Sequence, residues 1–112
     1  MATVEQLKAF GANTEEGIAR CMGSEDFYLR MVGMIAKDRK FEALKAAIAG
    51  NDLKEAFEAA HALKGVLANL SLTPVLKPIS EMTELLRART EMDYTPLLSE
   101  ADRQMTKLLA LL

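Results

Sequence analysis

Apolar residues recur at steps of three and four along most of this chain of 112 residues, the spacing that places side chains on one face of an α-helix. Two long stretches carry the pattern, residues 25–49 and residues 52–70. The apolar residues are mainly Leu, Ala and Met, which lose little side-chain freedom in a helix. The pattern therefore predicts an all-α protein.

Start and stop signals divide the first part of the chain into helices. Residues 3–10 form one candidate short helix. Asn13 followed by Glu16 resembles a capping box, which opens a second short helix that Gly23 closes. Ser24 is then a candidate N-cap for the long stretch of residues 25–49.

The middle of the chain contains two further signals. The charged cluster at residues 37–40 interrupts the apolar face, so we expect a kink or a brief break there. Gly50 is a natural residue just beyond the end of a helix, and Asp52 followed by Glu55 predicts a new capping box. The next helix should therefore run from Asp52 to about Leu70.

Three prolines mark the last two helices. Thr73 with Pro74 predicts an N-cap with proline at the first helical position, and this helix should end near Thr90. Pro78 lies one turn further in, so the helix either bends there or begins near Lys77.

Thr95 and Pro96 repeat the start signal for the last helix. Four long amphipathic segments with short connections predict an antiparallel four-helix bundle, preceded by one or two short N-terminal helices. The length fits one domain over residues 1–112.

Composition narrows the classes of function. The net charge is −2 with interspersed signs, which argues against a nucleic-acid partner because such proteins cluster their cations. The single cysteine, Cys21, is typical of a reducing compartment, and neither a secretory signal nor a membrane-spanning run is visible. We expect a cytoplasmic protein without membrane contact, either free or as part of a larger chain.

The only histidine, His61, lies in the middle of the helix of residues 52–70. Helical spacing turns it roughly 120° away from the centre of the apolar stripe, toward solvent. Lys64 follows at i+3 and Gly65 at i+4, and both positions neighbour His61 on the helix surface. The histidine should therefore have a cation on one side and a gap on the other.

Gly65 requires an explanation, since glycine inside a helix costs about 0.5–1 kcal/mol relative to alanine. It leaves room for a bulky group on the imidazole or for the approach of another protein. Close packing of a neighbouring helix is the alternative for Gly65, and a simple solvated position is the alternative for Lys64.

Together these three residues fit a nucleophilic site. Neutral imidazole can accept a phosphoryl group, and the Lys64 ammonium can offset charge on the phosphoryl oxygens. A hydrolase triad needs an acidic residue that orients the histidine, and only Glu58 at i−3 could do so here. The sequence therefore gives little support for a hydrolase. The chain lacks metal-ligand spacing and a glycine-rich phosphate loop, which argues against a metal site and an ATP-using kinase.

The run of residues 59–70, AAHALKGVLANL, resembles the signature helix of histidine-containing phosphotransfer (HPt) domains. Their pattern is an Ala-His pair, two residues, Lys-Gly, and often a later Asn-Leu-Gly. The turn at residues 49–52 and the segment of residues 24–29 are also similar to this family. The resemblance covers roughly residues 13–89.

The resemblance implies an antiparallel four-helix bundle that carries phosphoryl groups in a phosphorelay. His61 would be the phosphoacceptor at Nε2, Lys64 would steady the phosphoryl group, and Gly65 would give clearance. The partners would be response-regulator receiver domains and a sensor or hybrid histidine kinase. The receiver would supply Mg²⁺, and this chain, a monomer, would hold no cofactor or metal. No ATP-dependent kinase or hydrolase activity of its own is expected.

Two details of the family pattern remain open in this sequence. Ser71 replaces the common glycine, which leaves the end of the helix uncertain. Family members often place a polar side chain of the next helix near the phosphohistidine, and Ser80, Thr83 and Glu84 are the candidates here.

Docking of a receiver requires an apolar patch beside the histidine. Helical spacing puts Ala68 and Leu72 on the His61 side, although Leu72 could equally belong to the core. The competing function is a non-catalytic helical adaptor with a degenerate site.

Overall fold

The computed structural model describes residues 2–112, and over that range every regular element is helical. There are seven α-helices: α1 (Val4–Phe10), α2 (Thr14–Arg20), α3 (Glu25–Gly33), α4 (Lys40–Ala49), α5 (Leu53–Asn69), α6 (Thr73–Arg87) and α7 (Thr95–Leu109). A short 3₁₀ helix (Met34–Lys37) follows α3 directly. The predicted all-α class is confirmed. In the part of the chain that the structure describes, no helix is both long and apolar enough to cross a membrane.

Three of the predicted N-caps are formed by side chains. Each cap accepts a hydrogen bond from a backbone N–H of the first helical turn, which would otherwise lack a partner. The pairs are Asn13 with the N–H of Glu16, Ser24 with that of Phe27, and Asp52 with that of Glu55. These local contacts explain why the starts of α2, α3 and α5 were predictable.

The expected interruption near residues 37–40 is a complete break between α3 and α4. Asp38 has an extended backbone, and its carboxylate accepts a hydrogen bond of 2.7 Å from the backbone N–H of Lys40. The same carboxylate pairs with the Lys40 Nζ at 3.0 Å. Asp38 therefore ends one helical segment and stabilises the start of the next.

The predicted boundaries of the last two helices are wrong by a few residues. Thr73 and Thr95 are the first helical residues, not the caps, and α6 ends at Arg87 instead of near Thr90. Pro78 lies inside an uninterrupted α6, so the helix does not start near Lys77. Pro78 is close enough to the start of α6 that its missing N–H leaves only an early carbonyl without its usual donor.

The long helices pack in chain order, α4 on α5, α5 on α6 and α6 on α7. Their contact buries a continuous apolar core that includes Leu44, Leu63, Leu67, Ile79, Met82, Leu86 and Leu108. The end of α5 is defined by Leu70 as C-cap and by Ser71 in the left-handed region at φ +53°. Glycine adopts that conformation most readily, which fits the glycine common at this position in the family pattern.

The N-terminal helices contact the end of α5 at five residues, which we call the N-terminal junction: Asn13, Gly17, Tyr28, Leu70 and Ser71. All of them except Asn13 are buried. The Tyr28 hydroxyl donates a 3.0 Å hydrogen bond to the Leu70 carbonyl, and the Asn13 N–H donates one of 3.0 Å to the Ser71 carbonyl. Burial raises the pKa of Tyr28 to about 12, with a further contribution from Cys21.

Candidate functional site

His61 lies in the middle of α5, the longest helix of the described chain. The opposite face of α5 is buried in the core through Ala56, Ala60, Leu63 and Leu67, and His61 is exposed to solvent. The ring therefore lies on the exposed face of a helix whose opposite face packs against the core. This placement leaves the imidazole accessible to another molecule.

Phe57, one turn before His61 on α5, is in contact with its ring. The two ring centroids lie 5.4 Å apart and the planes differ by 14°, an offset-stacked pair. The guanidinium groups of Arg87 and Arg89 lie over the Phe57 ring at 4.9 and 5.3 Å from its centroid. The sequence analysis identified neither Phe57 nor the two arginines as residues of this site. The i−4 spacing from His61 was the signal that could have identified Phe57.

Lys64, at i+3 from His61, forms a contact with α6. Its Nζ lies 3.7 Å from an oxygen of the Glu84 carboxylate. The same carboxylate pairs with Arg87, whose Nε is 3.4 Å away. The hydrogen bond from Arg87, and secondarily the charge of Lys64, lower the pKa of the Glu84 carboxyl. Glu84 therefore stays ionised between the Lys64 ammonium and the Arg87 guanidinium.

Gly65 faces open space. A Cβ built at this position would meet no heavy atom within 4 Å, so no neighbouring helix packs against it. The packing explanation for Gly65 is therefore wrong. No contact within residues 2–112 requires glycine at this position, although alanine would make the helix more stable.

A family model described as "Hpt domain" matches residues 38–111, which is more than half of the chain and includes α4 to α7. The chain belongs to the Hpt domain family. Hpt domains take part in histidine phosphotransfer and interact with receiver domains and histidine kinases of two-component systems. The searches of curated proteins and of solved structures found no match.

Among the three polar candidates on α6, the structure of this Hpt domain connects only Glu84 to the residues around His61. Thr83 is buried, and its hydroxyl donates a 2.7 Å hydrogen bond to the Ile79 carbonyl within the same helix. Ser80 is half-buried and lies one turn before Glu84. Only Glu84 reaches Lys64.

The two residues predicted for the docking patch lie in different environments. Ala68 is half-buried on α5 and keeps part of its surface accessible. Leu72 is fully buried, so its assignment to a partner-binding surface is wrong. Leu72 follows the left-handed Ser71, and this turn directs the chain from α5 into the core before α6 begins.

The imidazole of His61 forms no hydrogen bond with any other residue of 2–112. Within that range no three His, Cys, Asp or Glu side chains are grouped to hold a metal ion. Two surface grooves, of about 730 and 370 Å³, lie elsewhere and are not lined by His61. An exposed ring on a helix surface is suited to contact with another protein, whereas small-molecule sites are concave.

Proposed function

We propose that His61 is the phosphoacceptor of this Hpt domain and that the protein is a phosphorelay intermediate. In this role it takes a phosphoryl group from a receiver aspartate, or from a histidine kinase system, and passes it to another receiver aspartate. The observation that carries the proposal is the exposure of the chain's one histidine at the centre of α5, beside Lys64 and Gly65. Membership of the Hpt family supports phosphotransfer as the chemistry of this exposed histidine.

The proposed step is a displacement at phosphorus. Nε2 of neutral His61 forms a bond to the phosphorus atom while the bond between phosphorus and the aspartyl oxygen breaks. The partner's carboxylate leaves with the electron pair, and the proton on Nδ1 stays on the ring. The Lys64 ammonium offsets charge on the phosphoryl oxygens, which is the usual catalytic use of a cation in phosphoryl transfer.

The surroundings of His61 support a protein partner. Gly65 leaves open space one turn along α5, which would accommodate the phosphoryl group and the edge of the partner's active site. Ala68 would contribute to the apolar patch that the receiver covers. We further propose that the receiver brings the Mg²⁺ required for transfer and that this chain needs no metal or cofactor of its own.

The same proposal extends to the architecture and setting of the protein. Helices α4 to α7 pack in sequence with short connections, which supports the antiparallel four-helix bundle, with α1 to α3 at one end. We propose that residues 1–112 act as one domain and as a monomer. A free, buried Cys21 is consistent with a cytoplasmic location.

The test is transfer of label from phosphorylated receiver domains of the same genome, sampled at short times with Mg²⁺ present. Wild-type protein should take up label that is acid-labile and base-stable, and His61→Gln should take up none. Far-UV circular dichroism checks that His61→Gln remains helical, as expected for a change at an exposed position.

Persistent labelling of His61→Gln would exclude His61 as the acceptor. Receiver binding that is unaffected by His61→Gln, with no label in either protein, would instead favour the adaptor function. Both outcomes can be read from the same set of receivers, because binding and labelling are measured separately.

A further inference from the structure

Glu84 is a carboxylate that pairs with Lys64, the lysine beside the proposed phosphorylation site. It comes from α6, and its oxygens lie 3.7 Å from Lys64 Nζ and 3.4 Å from Arg87 Nε. Lys64 is the cation that the proposed function assigns to the phosphoryl group. In the unphosphorylated protein this cation is therefore already paired with a negative charge.

A phosphoryl group on His61 would bring a second negative charge to the same lysine. It carries about −1.5 to −2 at neutral pH, more than a carboxylate. Residues at i and i+3 on a helix have Cβ atoms about 5–6 Å apart, so the Lys64 ammonium can turn from Glu84 toward the phosphoryl oxygens. Lys64 is half-buried and Glu84 is exposed, so neither side chain is locked in its present position.

We propose that Glu84 is a positioning residue that competes with the phosphoryl group for Lys64 and thereby lowers the phosphorylated share of this Hpt domain at equilibrium with its receiver. The inference rests on the proposed function of His61. It assigns Glu84 a role through Lys64, without contact between Glu84 and the transferred group.

The expected change in the transfer equilibrium is small because the ion pair between Lys64 and Glu84 lies at the surface. Ion pairs at the surface are weak, so release of Lys64 should change the transfer equilibrium only about 1.4- to fivefold. Arg87 also lies over the Phe57 ring, a contact that does not involve Glu84, so we expect Glu84→Gln to change the structure near His61 little.

The experiment measures the equilibrium ratio of labelled Hpt domain to labelled receiver, with a receiver that exchanges label with the wild-type protein. Equilibrium is approached from phosphorylated receiver and from Hpt domain phosphorylated with phosphoramidate, so a slow variant still reports its equilibrium. Glu84→Gln should raise the ratio about 1.4- to fivefold. Glu81→Gln is the matched control, because Glu81 is exposed on the same helix and forms no ion pair within residues 2–112.

The role of Lys64 is tested by repeating the comparison in a Lys64→Met background. If Glu84 acts through Lys64, Glu84→Gln should leave the equilibrium ratio of labelled Hpt domain to labelled receiver nearly unchanged in that background. An equal gain in both backgrounds would show direct repulsion between Glu84 and the phosphoryl group and would overturn the inference. An unchanged ratio in Glu84→Gln, or a gain of the same size in Glu81→Gln, would also overturn it.

These outcomes are separate from failure of the proposed function. If the wild-type protein takes up no label, or if His61→Gln takes up as much, the proposed function itself fails. If label enters His61 normally but the ratio is insensitive to Glu84, only the competition for Lys64 is contradicted.

Discussion

Two helical glycines of this protein lie in opposite environments. At Gly17 in α2, an added Cβ would overlap the ring of Tyr28 and lie 2.9 Å from the Leu70 carbonyl oxygen. At Gly65 in α5, an added Cβ would meet nothing within 4 Å. Gly17 is therefore required by contacts within the chain. Gly65 has no such requirement within residues 2–112, which agrees with the clearance role proposed for it.

The same contrast separates the N-terminal junction from the surface around His61. The junction is buried except at Asn13, and hydrogen bonds join residues far apart in sequence there, as from Tyr28 to Leu70. The surface around His61 consists of exposed or half-buried side chains held by stacking and ion pairs. The comparison predicts that stability and transfer can be altered separately, because the proposed transfer site and the junction are different regions.

The largest expected effect is on transfer, from Gly65→Gln. A long side chain at this position would fill the open space one turn from His61, so transfer from a receiver should fall by at least about tenfold, or ~1.4 kcal/mol. The helix should stay intact, because glutamine is a better helix former than glycine. Rates of label transfer and thermal unfolding measure the two effects.

Ala62→Gln is the matched control for this prediction. Ala62 is exposed on the same helix and neighbours His61 in sequence, but it lies off the line from His61 to Gly65. This variant should retain most of the transfer rate. A normal rate in Gly65→Gln would contradict the clearance role of Gly65.

The next effect concerns stability, in opposite directions at the two glycines. Gly17→Ala should lower the free energy of unfolding by about 1–3 kcal/mol, because the buried Tyr28 ring and a backbone carbonyl leave no room for a methyl group. Gly65→Ala should raise it by about 0.5–1 kcal/mol through helix propensity. Urea unfolding followed by circular dichroism measures both values, and equal changes in the two variants would remove the contrast between the regions.

A smaller effect on transfer than that of Gly65→Gln is expected from Phe57→Leu. An aromatic pair contributes about 0.5–1.5 kcal/mol beyond its buried area, so loss of the stacked ring should slow transfer to His61 about two- to tenfold by leaving the imidazole less well oriented. Phe57→Tyr keeps the ring and should transfer at nearly the wild-type rate. If both variants transfer equally, the stacked ring does not position His61.

Much of the fold could be predicted because its signals are local. Asn13, Ser24 and Asp52 act on N–H groups three residues away, so their roles are visible in the sequence itself. The starts of α6 and α7 were each misplaced by one residue, because neither Leu72 nor Tyr94 supplies a side-chain cap that would mark the boundary.

The surroundings of His61 were only partly predictable for a physical reason. Lys64 and Gly65 are on the same helix as His61, so helical spacing was sufficient to place them beside it. Glu84 comes from α6, and its contact with Lys64 depends on how α5 and α6 pack. The burial of Leu72 likewise depends on the turn at Ser71, which a helical projection continued past Asn69 does not include.

The central claim is that the exposed imidazole of His61 carries the phosphoryl group. Its most direct test is a ³¹P and ¹⁵N NMR spectrum of protein labelled with ¹⁵N-histidine and treated with phosphoramidate. We predict a single phosphohistidine signal with phosphorus on Nε2, absent from His61→Gln. A wild-type spectrum without that signal, or an equal phosphorus signal in His61→Gln, would contradict the account.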